Sequence, residues 1–384
     1  MSSFKVSKDV VSDDSSHRDS FIDEKLHPPP TRHRLLWLDA AKGFGILLVL
    51  LGHSRCGVYM TNHPGSLLTL IINAMYNWTP CFMPLFFLLS GYTFKHRDGA
   101  LKSRFLTLMG PYFTWVSVCI IFTILLRICL KGLPDINYIS KLVSGAMYAR
   151  YSLFPRGVED NMKFMPSGGS PLWFLPCLFT AYALFITLIQ LPKIKRIALS
   201  FVYMAMGFLL SFSPILLPWS IDTAFLGALF IYVGYIAKNR GVFESKLVLS
   251  VLIIVALYPM YRYICKYNGE INMSVREFGE HAVYSPFLFV VIGLLGSYII
   301  CQMCRLMEWA KLSYPFVKLG QISLLILCSH RLFYVFIDNL VKWNKWEASV
   351  LWLGNYLFLV KIIVAIALAF LLNGIKAAWR SCQT

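Results

Sequence analysis

The sequence predicts an all-α, polytopic membrane protein with about ten transmembrane helices and both termini in the cytoplasm. Of the 384 residues, 57% are hydrophobic and 14% are charged, whereas soluble domains contain about 25% charged residues. The apolar residues are grouped in runs of about 20, the length at which a helix crosses a bilayer. The 36 Lys and Arg residues outnumber the 19 Asp and Glu residues. This excess lies mainly between the apolar runs, which fits membrane topology better than nucleic-acid binding.

The apolar runs are the predicted transmembrane helices, and most of them end at basic residues, prolines or glycines. The first five runs span residues 34–55, 67–94, 105–130, 171–191 and 197–213. The last five span residues 217–237, 247–264, 282–304, 315–337 and 351–375. The second run is too long for one straight crossing, so we predict that Pro80 and Pro84 break it.

The composition divides the chain into three parts. Residues 1–33 are polar and rich in Ser and Asp, which predicts a disordered cytoplasmic tail. Residues 34–375 form the predicted transmembrane domain, and residues 376–384 form a cytoplasmic C-terminal tail. The basic loops, which set the orientation, are 95–104, 193–196, 238–246 and 305–311. The ten cysteines lack C-x-x-C or metal-ligand spacing, so we predict neither a disulfide framework nor a metal site.

The first predicted helix contains an unusual stripe of polar residues. Asp39 and Lys42 interrupt its apolar run, and His53 follows that run. Each charge at bilayer depth costs about 2.5–3.5 kcal/mol on insertion scales, so ionisable residues there are functional candidates. At about 100° per residue, His53 lies within about 20° of the line of Lys42, and Asp39 is on the same face. We therefore predict that this stripe lines an active site.

Five motifs occur in order along the chain. They are R-L-L-W-L-D-A-A-K-G…L-L-G-H-S at 34–54, M-P-L-F-F-L-L-S-G-Y at 83–92, P-L-W-F-L at 171–175, D-T-A-F-L-G-A-L-F-I-Y-V-G-Y at 222–235 and L-G-Q-I-S-L-L-I-L-C-S-H at 319–330. As an ordered set they resemble the integral-membrane acyltransferase-3 superfamily, especially its fucose 4-O-acetylase-like branch of carbohydrate O-acetyltransferases. That resemblance implies a bacterial inner-membrane enzyme that moves an acetyl group from acetyl-CoA, its co-substrate, to a sugar hydroxyl, without a metal. The implied acceptor is a glycolipid, a lipo-oligosaccharide such as the fucose of a nodulation factor, or a surface polysaccharide.

The resemblance implies that His53 is the catalytic residue. Acetyl transfer to a hydroxyl needs a base, and imidazole is suited to that role near neutral pH. A histidine near a helix end could instead lie at the membrane interface, and a covalent acetyl-histidine mechanism stays open. His330 matches a recurrent position near the active site, and with Arg331 it is a candidate for substrate binding.

Further candidates have structural alternatives. Asp39 and Lys42 could contact substrate or form a charge pair near the cytoplasmic boundary. Trp173 could stack on a sugar or pack in the core, and Asp222 could bind a sugar hydroxyl or cap a helix. Members of the family commonly place two arginines three residues apart before the P-Y of the third helix, whereas here Arg104 is followed by Thr107 and Lys102 could substitute for the second arginine. Here the candidates for binding coenzyme A phosphates are Arg34, Lys102 and Arg104.

The competing interpretation is a secondary transporter of a glycan or small anion. A transporter predicts inverted repeats and broken helices around a site at mid-membrane. A transferase predicts a cavity with phosphate-binding cations that leads to His53. Both interpretations require a lipid bilayer as partner, and neither determines the oligomeric state.

Overall fold

The computed structural model describes residues 35–150, 152–155, 166, 168–244, 246–281, 283–343 and 351–381, with the backbone alone at 351–354. Every regular element in these ranges is a helix. One isolated bridge pairs Asn272 with Glu277. The predicted all-α fold class is therefore confirmed.

The α-helices are numbered here in chain order. The first seven are α1 Leu36–His53, α2 Gly57–Asn62, α3 Leu67–Tyr76, α4 Phe82–Tyr92, α5 Ala100–Lys131, α6 Ile136–Tyr148 and α7 Phe174–Gln190. The others are α8 Lys193–Ser211, α9 Ile221–Asn239, α10 Leu247–Asn268, α11 Ser285–Trp309, α12 Tyr314–Gln321, α13 Ser323–Trp343 and α14 Leu351–Ser381. Short 3₁₀ turns lie at Thr79–Cys81, Ser170–Trp173, Pro218–Ser220 and Met273–Val275.

Nine helices in the described ranges are long and apolar enough to cross a membrane, namely α1, α5, α7, α8, α9, α10, α11, α13 and α14. The remaining predicted crossing, 67–94, consists of α3 and α4 joined by the 3₁₀ turn that contains Pro80. Pro84, the second proline predicted to break this run, does not break it, because it lies in the first turn of α4. The backbone N–H groups of a first turn have no partner within the helix, so proline removes nothing there.

A second broken helix replaces the predicted continuous span 315–337. Its N-terminal part, α12, ends at Gln321, and α13 begins two residues later. A Cβ atom built on Gly43 would collide with the carbonyl oxygen of Phe316, and one built on Gly320 would collide with that of Asp39. The backbones of α1 and α12 therefore touch, as small residues permit in membrane helices. The contact extends along α12, because Phe316 meets Gly43 and Gly320 meets Asp39.

Helix α1 lies in the middle of the protein rather than at its lipid-facing surface. In an 18-residue apolar stretch of α1, 67% of residues are buried, and the same share is buried in α9. The corresponding share in α8 and in α10 is 11%. A polar stripe on α1 therefore faces protein and its cavities, as the cost of charge in lipid demands.

The bundle has two ends. The first end contains the start of α1, where the ring centroids of Trp37 and Tyr92 are 5.2 Å apart. The backbone N–H of Trp37 donates to Glu308 Oε2 at 3.0 Å. At the same end, Lys238 Nζ donates to the carbonyl oxygen of Phe94 at 3.1 Å. The loops after α4, α9 and α11 therefore share this end. Which end faces the cytoplasm stays a prediction.

The second end contains the end of α1 and the loop between α10 and α11. Helix α14 continues to Ser381, so part of the predicted tail 376–384 is helical. The sequence there includes two adjacent alanines, which favour helix.

Candidate active site

His53 is the last residue of α1, and its ring is only partly buried because it lines a cavity at the second end. This histidine cavity has a volume of about 460 Å³ with its open mouth included. Its walls include Thr79, Met83, Trp173, Asn272, Ser274 and Phe289. The structure thus brings two predicted residues, His53 and Trp173, to one cavity that also offers hydroxyl and amide groups.

A second histidine lies beside His53. The ring centroids of His53 and His330 are 5.3 Å apart, and His330 is completely buried. Its Nδ1 lies 2.9 Å from the carbonyl oxygen of Ile326 and 3.1 Å from that of Leu327. Because both partners are acceptors, this hydrogen-bond pattern assigns the proton to Nδ1 and a lone pair to Nε2.

That Nε2 atom is buried and has no hydrogen-bond partner among the described residues. The ring of Tyr334 lies 5.6 Å away, edge to face, but its hydroxyl donates to the carbonyl oxygen of Leu50 at 3.2 Å. A buried acceptor without a donor costs about 1–3 kcal/mol, so such a group calls for an explanation. A proton or donor that arrives during a reaction would provide one.

The cationic cavity, lined by Lys42 and Arg104, lies nearer the first end. It has a volume of about 910 Å³ with its open mouth included, and Ser90, Thr93 and Gln321 add polar groups. Lys42 Nζ lies 3.5 Å from Asp39 Oδ1. The Arg104 guanidinium lies 4.8 Å from the centroid of the Tyr182 ring, a cation–π contact that holds it in place. The cavity therefore presents the Arg104 guanidinium to an anionic ligand, together with the Lys42 ammonium that Asp39 partly compensates.

The same segments line both cavities. On α1, Lys42 lines the cationic cavity and His53 the histidine cavity, at positions about 16 Å apart along the helix axis. The adjacent residues Trp173 and Phe174 line one cavity each. On α13, Leu327 lines the cationic cavity, and His330 is one turn further on, beside His53. The two cavities therefore lie at successive levels along the same segments of the bundle.

Asp222 has a different environment from the one that substrate binding requires. Its side chain is completely buried and forms ion pairs with Arg150 and with Arg276, whose Nη1 lies 3.1 Å from Oδ2. The backbone N–H groups of Thr223 and Leu217 donate to the carboxylate at 2.8 Å and 3.2 Å. Burial lowers the pKa of Arg276 from its ordinary value, while the Asp222 carboxylate opposes that shift. The carboxylate oxygens are thus occupied by protein donors.

The Asp222 cluster, which consists of Asp222, Arg150 and Arg276, supports the wall of the histidine cavity. Arg150 Nη1 donates to the carbonyl oxygen of Ser274 at 2.7 Å, and Ser274 lines the cavity. Arg276 Nη1 also donates to the carbonyl oxygen of Ile215 at 3.1 Å. The cluster therefore ties the loop that contains residues 271–276 to the segments before α9. The sequence shows Arg150 and Arg276 only as loop cations, and nothing in their spacing indicates a shared partner.

Three of the remaining candidates, Lys102, Arg331 and Asp39, line neither the histidine cavity nor the cationic cavity. Lys102 is exposed on α5, and Arg331 is partly buried on α13. Asp39 is 5% exposed and contributes through its ion pair with Lys42. Arg34 lies outside the described residues.

Comparison with protein families agrees with this architecture. Residues 35–374 match the family model described as "Acyltransferase domain". No curated protein and no solved structure matches the chain. The family model covers nearly all of the transmembrane region, including both cavities. The chain therefore belongs to the acyltransferase-3 superfamily and is a multi-pass membrane acyltransferase.

Proposed function

We propose that the protein transfers an acetyl group from acetyl-CoA to a sugar hydroxyl of a glycolipid, lipo-oligosaccharide or surface polysaccharide. One observation carries this proposal: Lys42 and His53 lie on one face of α1 and line a cationic cavity and a histidine cavity. Two substrates of different chemistry fit two sites on one helix face better than one transported ligand does. The broken helices would suit a transporter, but the family is one of acyltransferases.

The cationic cavity is the proposed donor site. Lys42 and Arg104 would bind the phosphates of acetyl-CoA, because charge-assisted hydrogen bonds to phosphate are strong and favour guanidinium and ammonium groups. The phosphopantetheine arm would then follow α1 toward His53, past Ser90 and Phe174. Lys102 and Arg34 are proposed as outer contacts. This arrangement requires the first end to face the cytoplasm, where acetyl-CoA is available.

The histidine cavity is the proposed acceptor site. The acceptor hydroxyl would donate to His53, which takes the proton as the oxygen attacks the thioester carbon. The new C–O bond forms, the C–S bond breaks, and the coenzyme A thiolate receives that proton from the His53 imidazolium. General base catalysis of this kind contributes about 10²–10⁴-fold in rate. Trp173 would stack against the sugar ring.

His330 is proposed to stabilise the charged form of His53. Its Nε2 lone pair is unpartnered among the residues described, and the two rings are 5.3 Å apart. A lone pair at this position would accept an N–H of the imidazolium, directly after a small ring movement or through one water. Direct transfer and a transient acetyl-His53 intermediate use the same two residues.

The experiment is acetyl transfer by purified protein in liposomes. Labelled acetyl-CoA is supplied with fucosylated lipo-oligosaccharide or other glycolipid acceptors, and the labelled lipid is counted. His53→Ala is expected to lose about 100-fold or more in rate, because it removes the base. His281→Ala is the matched control, since His281 is a histidine at the same end, bonded to the carbonyl oxygen of Tyr267. Equal transfer by His53→Ala and wild type would exclude His53 as the catalytic residue.

A further inference from the structure

Another cavity opens beside His53 at the second end. It has a volume of about 760 Å³ with its open mouth included, and its lining includes Ser54, Arg55, Asn62, Asp338, Asn355 and Lys361. This anion cavity, as we name it, adjoins the histidine cavity through the chain itself, because Ser54 follows His53. The Cα atoms of His53 and Arg55 are two chain steps apart and so at most about 7.6 Å from each other.

The charge of the anion cavity is positive. Lys361 is 1% exposed and forms an ion pair with Asp338, so these two charges compensate each other. Arg55 is exposed and has no ion pair with any residue in the described ranges. Asn62 Nδ2 donates to Asn355 Oδ1 at 2.8 Å, which leaves the Asn355 amide as a further donor. An oxyanion would meet one uncompensated guanidinium and neutral donors.

The backbone at Arg55 gives an independent indication. Its φ angle is +65°, in the left-handed region, where glycine or asparagine is favoured and a residue with a longer side chain is strained. The chain turns here between the end of α1 and the start of α2, a place where glycine is the usual residue. Strain of this kind clusters at functional sites, because a required side chain outweighs the backbone cost.

We propose that the anion cavity binds an oxyanion, a carboxylate or phosphate, on the acceptor and thereby holds the acceptor hydroxyl at His53. Arg55 would bind the oxyanion through its planar fork. The separation of Arg55 from His53 suits an anionic group on the same sugar as the reacting hydroxyl or on the next one. The inference rests on the proposed acetyl transfer, since it assigns the class of acceptor. A lipid headgroup has the same chemistry and is distinguished below.

The experiment compares two glycosides that differ in one group. The full chain is placed in phosphatidylcholine nanodiscs, and its unfolding midpoint is followed with octyl glucuronide, which has a carboxylate, and octyl glucoside, which has a hydroxymethyl group there. A ligand that binds the folded protein raises the midpoint, so the titration gives an apparent affinity. Wild type is expected to bind the glucuronide about tenfold more tightly. Equal affinities would overturn the proposal.

Three variants test whether Arg55 causes the preference for the glucuronide over the glucoside. Arg55→Gln removes the charge, and Arg55→Gly removes it while relieving the left-handed strain, so the latter is expected to unfold no earlier than wild type. Both are expected to bind the two glycosides equally. Arg240→Gln, an exposed arginine at the first end, is expected to keep the preference. Retention of the preference by both Arg55 variants would contradict the assignment.

Two further measurements distinguish an acceptor oxyanion from a lipid headgroup, and the anion site from the proposed acetyl transfer. In nanodiscs that contain phosphatidylglycerol, a lipid headgroup that occupies the cavity would abolish the glucuronide preference, and that result would overturn the acceptor assignment. With labelled acetyl-CoA, Arg55→Gln is expected to raise KM for the glucuronide about tenfold and to leave KM for the glucoside unchanged. Absence of transfer to either glycoside by wild type would count against the proposed function, whereas the affinity measurements would still decide the anion site.

Discussion

Asp222→Asn tests the role of the buried ion-pair cluster. The substitution keeps the shape of the side chain but removes its charge, leaving Arg150 and Arg276 buried with side-chain exposures of 0% and 1%. It also turns an acceptor oxygen into an NH₂ group that faces donors. At Oδ2, these donors are Arg276 Nη1 at 3.1 Å and the Leu217 N–H at 3.2 Å. Breaking a buried pair by removing one partner costs about 3–5 kcal/mol.

The cost is large against a total stability of about 5–15 kcal/mol, so a clear fall in the unfolding midpoint in nanodiscs is expected. Asp135→Asn is the matched control. Asp135 caps α6 at an exposed position by accepting from the Tyr138 N–H at 3.2 Å, and asparagine caps helices about as well as aspartate. The control is therefore expected to stay within about 0.5 kcal/mol of wild type.

The kinetic consequence is more specific. Because the cluster holds the loop that contains Ser274, folded Asp222→Asn is expected to raise KM for the acceptor several-fold and to leave KM for acetyl-CoA unchanged. An equal rise in both constants would refute the reasoning, as would a stability indistinguishable from that of Asp135→Asn. Either result would mean that the cluster does not act through the wall of the histidine cavity.

Three other substitutions address the donor site, the histidine pair and the helix contact. Arg104→Ala is expected to raise KM for acetyl-CoA about tenfold or more, because it removes a charge-assisted phosphate contact. Lys102 is exposed outside the cavity, so Lys102→Ala is expected to change this KM less. Initial rates at varied acetyl-CoA concentrations measure both KM values. His330→Phe keeps an aromatic ring but removes the Nε2 lone pair together with the Nδ1 donor, and should lower kcat about tenfold or more with both KM values unchanged. Unchanged kcat would exclude the proposed stabilisation. Gly320→Ala is expected to destabilise by about 1–3 kcal/mol, because its Cβ would meet backbone of α1. Gly52→Ala, with open space at its Cβ, should be neutral or stabilising in the same melting assay.

The sequence predicted much of this architecture because membrane helices are specified locally. Run length and charge predict the long helices, and helical periodicity alone places Lys42 and His53 on one face. The breaks were harder to place. Pro80 lies in a break and Pro84 does not, and the difference depends on where the next helix starts. The break at Ile322 has no proline or charge to indicate it, because the contact between α12 and α1 determines it.

The site was predictable only in part, for a similar reason. The proximity of His330 to His53 was implied by resemblance, whereas the partners of Asp222 depend on how distant loops fold. Arg150 precedes Asp222 by 72 residues and Arg276 follows it by 54. No spacing rule connects such positions. A buried carboxylate at a helix start therefore suggested a cap or a sugar contact, and Arg150 and Arg276 were not identified.

The contact of α12 with α1 without intervening side chains has a consequence for the alignment of the two substrates. Lys42 and His53 belong to one continuous helix that α12 contacts at its backbone, so the rise per residue of α1 determines how far apart they stand along its axis. One residue inserted between them would turn the imidazole by about 100° and advance it by about 1.5 Å. The axial separation of Lys42 and His53 therefore stays constant inside a membrane whose thickness varies.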